Sequence, residues 1–172
     1  TVDANPTAHA TTGDLSVSSP TSAYDNNLGT CATFKYDEYT GSFEVTTFTT
    51  PSSDTILSVD FKMNYKADEG TSSDPGYRIV YYVGSSGPVV LQDWTYAEHT
   101  QKTDTWSGQA EPNDGTWSWT DIGNIRFVVE TAAGKKGDNF YEHEAWVTVT
   151  TYSYTKGTIS VSPASLTDPG SP

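Results

Sequence analysis

A chain of 172 residues is long enough to bury a full hydrophobic core and suits one domain, or one domain with a stub of a neighbour. It carries 22 acidic against 9 basic side chains, a formal net charge of −13. Nucleic-acid phosphates and anionic lipid would repel such a surface, so both are excluded as partners, while the carboxylates suit hard cations such as calcium. Thr, Ser, Tyr, Val and Gly dominate, and this β-branched and aromatic bias leans all-β. The single cysteine, Cys31, cannot form an internal disulfide and reads as a small buried thiol. The sequence has no apolar run of about 18 residues, and its start at Thr1 fits a processed or trimmed chain.

In chain order, residues 1–13 are small and polar and read as a flexible N-terminal segment. Asp14 to Ser18 alternates as a first edge strand, and Asp25-Asn26-Asn27 lies in a turn-rich loop. Strands are expected from Cys31 to Tyr36 and from Phe43 to Phe48, then, after the Pro51 to Asp54 turn, from Thr55 to Lys66. In that long strand Leu57, Val59, Phe61, Met63 and Tyr65 alternate with polar residues and are expected to face the core. Tyr77 to Val83 and Val89 to Trp94 read as a hairpin across a Gly-rich turn, and Thr103 to Gly108 as a further strand.

The stretch from Trp117 to Tyr152 organises the rest. It reads as a short strand at Trp117, a helical turn through Asn124 capped by Thr120, a buried strand over Ile125 to Val129, and a long last strand over Tyr141 to Tyr152. Trp119 and Trp146 are assigned to packing. Past residue 154 the chain turns Pro- and Ser-rich, so residues 155–172 read as a linker or the first strand of a following module, leaving 14–154 as the domain. Roughly nine strands with frequent turns and one short helical turn argue an all-β antiparallel β-sandwich. The length and the lack of a Cys…Trp…Cys core favour a jelly roll over an immunoglobulin topology.

The order of the loop at Asp25, the Pro51 to Tyr65 turn and strand, the Trp117-Ser118-Trp119-Thr120-Asp121-Ile122 turn and the closing Trp146 to Tyr152 strand resembles the galactose-binding-like jelly-roll modules of large secreted, cell-surface and phage structural proteins. The tail from Val161 resembles the opening of an immunoglobulin-like module. The resemblance implies binding or scaffolding in a secreted or cell-surface setting rather than catalysis. It also implies a structural calcium between an early loop and the last strand, here Asp25, Asn27, Glu142 and Glu144. The alternative for these residues is a solvated polar turn and an exposed strand end.

Five Trp and eleven Tyr are many for this length. Trp94, Tyr96, Trp106 and Trp117 lie near expected loops or strand ends and could stack on sugar rings, or else fill core and edges. The three His have no metal-ligand spacing, and no Gly-x-Ser-x-Gly elbow or Ser/His/Asp set emerges, so an enzyme is not expected. Two functions remain. One is a structural or adhesive module of a surface protein or filament, joining neighbouring modules or copies of itself through added edge strands. The alternative is a carbohydrate-binding module with surface aromatics, a polysaccharide partner and a structural calcium.

Overall fold

The computed structural model describes residues 1–36, 38–52, 54–68, 76–97, 99–133 and 138–153. Among the described residues eleven strands form two antiparallel sheets packed face to face, a jelly-roll sandwich. They are β1 (Val2–Ala4), β2 (Pro6–Gly13), β3 (Val17–Ser18), β4 (Ala32–Lys35), β5 (Gly41–Phe48), β6 (Thr55–Ala67), β7 (Tyr77–Val83), β8 (Ser86–Thr95), β9 (His99–Trp106), β10 (Ile125–Thr131) and β11 (Asn139–Tyr152). The first sheet runs β3-β4-β11-β6-β9, with β1 also pairing with β11. The second runs β2-β5-β10-β7-β8. The expected linker after residue 154 lies outside the described residues.

The period-2 alternation read in the sequence is the pleat that buries one face of each strand. Val59, Phe61, Met63, Tyr65 and Ala67 of β6 are fully buried, as are Phe43 and Val45 of β5 and Tyr77, Ile79 and Tyr81 of β7. With so little Leu, aromatic rings fill the space between the sheets. Phe61 stacks on Tyr81 at 4.2 Å between ring centroids and meets Phe127 edge-on at 5.2 Å. Tyr65 stacks on Phe140 at 5.2 Å. Such pairs add to simple area burial.

Several expectations need correction. The N-terminal residues do not stay loose: β1 pairs with β11 (Val2 opposite Val149) and β2 pairs with β5. Buried Ala4 and Pro6 anchor the two strands, with Asn5 between them. The first edge strand shrinks to Val17–Ser18. Leu57 points to solvent at 62 % exposure and Ile56 takes its place against the core, because a register shift opposite Thr150 and Thr151 inserts an extra residue in β6. Trp117 belongs to no strand. The helical turn α1 (Trp119–Gly123) is capped by Ser118, not Thr120, in a capping box with Asp121. A second, 3₁₀ turn spans Pro20–Ala23. Cys31 is half-buried, its Sγ beside the Thr33 hydroxyl at 3.5 Å.

Phe61→Ala removes the ring that joins three aromatic neighbours. It is expected to cost about 3–5 kcal/mol in denaturant unfolding, with the fold retained by circular dichroism.

Candidate functional site

β11 carries the first candidate constellation. Phe140 and Glu142 point inward, and a shift of register between Glu142 and Glu144 places His143 in a bulge. After it Ala145, Val147 and Val149 face the core, so Glu144 sits on the outer face, opposite Asn64 of β6. The two glutamates are not an exposed strand end: Glu142 is 1 % and Glu144 7 % exposed. The backbone amides of Asn26 and Asn27, in the loop from Asp25 to Thr30, lie close enough to the Glu144 carboxylate to favour its charged form. Gln101 holds the same loop from β9, donating to the Leu28 carbonyl at 3.0 Å and to Asn64 Oδ1 at 2.8 Å.

The electrostatics of this pair are unfavourable to charge. Burial, and then the neighbouring Glu144, raises the Glu142 carboxyl well above its usual range. Burial pushes Glu144 up to about 7, against the lowering pull of the loop amides and with Asp25 adding to the rise. Glu142 Oε1 and Glu144 Oε2 are buried without a hydrogen-bond partner. Asp25 and Asn27 are engaged inside the loop. Asp25 accepts from the Asn27 amide at 3.0 Å and the Thr30 hydroxyl at 2.7 Å, and Asn27 Oδ1 accepts from the Gly29 amide at 3.0 Å. Among the described residues no three His, Cys, Asp or Glu side chains converge as a metal cage.

The aromatic candidates divide. Trp106 packs against the core, edge-on to Phe127 at 6.1 Å. Trp117 does too, donating Nε1–H to the Gln109 carbonyl at 2.7 Å. Trp94 and Tyr96 are exposed at 38 % and 40 %, two residues apart where β8 ends. Trp119 packs as expected and donates to the Asp54 carbonyl at 2.8 Å. Trp146 does not join the core. It alternates with inward Ala145 and Val147 and so lies on the outer face of the first sheet, with the Lys62 ammonium 5.9 Å from its ring.

The outer face of the second sheet gives Trp94 its setting. Register sets three rows of side chains across it. One is Thr12, Ser42, Glu130 and Arg78. The next is Ala10, Glu44, Val128, Val80 and Val90. The third is Ala8, Thr46, Arg126 and Tyr82. Arg78 stacks on Trp94 with its guanidinium carbon 5.0 Å from the ring, and its Nε–H donates to Glu130. Tyr82 donates to the other oxygen of Glu130 at 2.8 Å. Arg126 stacks on Tyr82 at 4.4 Å and pairs with Glu44 at 3.3 Å. Beside Trp94 opens a cleft of about 360 Å³ whose lining includes Thr12, Thr40, Ser42 and Glu130. None of these partners was legible beforehand, because rows across a sheet depend on strand order. The outward parity of Arg78, Arg126 and Glu130 against buried neighbours was the available signal.

No family model matches the chain, and no curated protein matches it. Among solved structures, it is similar to TmCBM61, a carbohydrate-binding module in complex with β-1,4-galactotriose. The identity is 12 %, the match covers 85 % of this chain and 91 % of that one, and the TM-score is 0.39.

Both glutamates are held above their unfolded values, so each binds more protons folded than unfolded. The contribution of this pair to stability is therefore most favourable below the usual glutamate range and falls as pH rises. In chelator, the contribution of Glu144 to unfolding free energy is expected to decline from about pH 4.5 through about 7, and Glu144→Gln is expected to flatten that decline in denaturant titrations at stepped pH.

Proposed function

We propose that this sandwich is a non-catalytic carbohydrate-binding module of a secreted or cell-surface protein, gripping glycan on the outer face of its second sheet. The observation that carries this is Trp94: a part-exposed indole backed by a guanidinium, at the rim of a cleft whose lining includes hydroxyl-bearing residues and a carboxylate. A planar apolar ring suits the C–H face of a sugar, while hydroxyls and a carboxylate suit its equatorial oxygens. The cleft volume falls in the range of small-molecule sites. Its carboxylate is already engaged by Arg78 and Tyr82, which favours recognition over acid–base chemistry.

A structural calcium is part of this reading. Glu144 fits a hard cation beside the loop at Asp25: one of its carboxylate oxygens is buried without a partner, and a divalent ion there would stabilise its charge, while Glu142, across the bulge on the inner face, would feel that ion only electrostatically. Bound there, calcium would supply charge balance and tie the loop at Asp25 to β11.

The adhesive reading retains one supporting feature. β2 and β8 are the edges of the second sheet, β3 and β9 lie at the ends of the first, and Val90 of β8 is 46 % exposed. The N-terminal residues are not free to add to a neighbour's sheet edge, since β1 and β2 are paired within the sandwich.

Two measurements follow. Trp94→Ala is expected to weaken binding to the best-bound oligosaccharide by about tenfold or more in calorimetric titration, a loss of about 1.4 kcal/mol; unchanged affinity would remove Trp94 from the site. Calcium is expected to raise the melting temperature of the chelator-treated protein, by mass action on the folded state, and Glu144→Gln to abolish the rise.

A further inference from the structure

The chain contains only two arginines, Arg78 and Arg126, and both stand on the outer face of the second sheet, on neighbouring strands β7 and β10. Each lies against an aromatic ring and each is paired with a glutamate on the same face. Beneath them Val80 and Val128 are 0 % and 2 % exposed although they point away from the core, so the side chains over them form a closed layer. Beyond Arg126 lies a second cleft of about 340 Å³, lined in part by Thr46, Thr47, Asn124 and Arg126. Thr47 holds a left-handed backbone at φ 58°, a conformation that costs energy in a β-branched residue. Arg126 Nε is buried with no partner while the rest of its side chain remains partly exposed, so the guanidinium keeps donors unused by Glu44.

Glu130 borders the first cleft and Arg126 the second. They are four residues apart on β10, which is about 13 Å along an extended strand. We propose that the cleft beside Arg126 is a second subsite of this face, and that one extended, uncharged polysaccharide chain runs from Trp94 across the two stacked arginines into it. This rests on the glycan-binding reading of the face. The ligand is uncharged because each guanidinium is already neutralised by its glutamate. What the face offers is donors and acceptors in pairs, as vicinal hydroxyls require, within a chain whose net charge of −13 opposes polyanions.

The test is calorimetric titration of the whole chain with cello-, galacto-, manno- and xylo-oligosaccharides from the disaccharide upward, and with oligogalacturonides as the charged arm. For the preferred neutral series, affinity is expected to rise roughly a hundredfold once the oligomer reaches both clefts. Asn124→Ala and Arg126→Lys are expected to remove that gain while leaving the short members unchanged; the lysine keeps a cation beside Glu44, and melting temperatures verify folding. Trp94→Ala weakens every length. Equal affinity for short and long oligomers, or a gain that survives both substitutions, overturns the second subsite and leaves the Trp94 reading standing. Tighter, salt-sensitive binding of oligogalacturonides overturns the uncharged ligand. Failure of every oligosaccharide to bind the unaltered protein overturns both.

Discussion

The ladder between β11 and β6 is the constraint on which the rest depends. β11, of 14 residues, pairs with β6 along nearly its whole length, and its other edge takes β4 near its start and β1 near its end. Its register therefore sets the floor of the first sheet, and through Phe140, Ala145, Val147 and Val149 it sets what the second sheet packs against. A one-residue slip would send every one of these side chains to the wrong face. Register shifts punctuate this ladder twice. One brings Glu142 and Glu144 to opposite faces of the sheet with only His143 between them, and the other turns Leu57 outward.

Much of the fold was readable because pleated, half-buried strands leave period-2 patterns. β6, β7, β10 and β11 fall where alternation or short apolar runs placed them. The failures share a cause. β1 and β2 carry small and polar residues whose pairing partners lie 147 positions on, where Val2 meets Val149, and 42 positions on, where Pro6 meets Phe48, so only tertiary contact makes them strands. Bulges are equally silent, which is why Leu57 was assigned to the core and Glu142 to a possible exposed end. The choice of Ser118 over Thr120 as cap is a matter of two residues, within the ordinary fuzziness of helix ends.

For the candidate site, sequence could mark Trp94 as a surface aromatic but not distinguish it from Trp106 and Trp117, which lie half-buried against the core. What makes the Trp94 face unusual is its charge pairing. A strongly acidic chain has concentrated its arginines on one sheet face and matched each with a carboxylate and a ring. Stacked, paired guanidinium groups are stiff, and stiffness lowers the ordering cost of binding.

The place of β1 bears on how the module would carry load. Val2 lies beside Val149 in antiparallel register, so the chain enters and leaves the sandwich at the same end. Tension applied through the two ends would peel β1 from β11 one residue pair at a time instead of shearing the whole ladder at once. The three-residue β1 would yield first, and Asn5 would then pass the force to β2 and the opposite sheet. A module strung in a longer chain would thus lengthen by a short, recoverable step before its aromatic interior was disturbed.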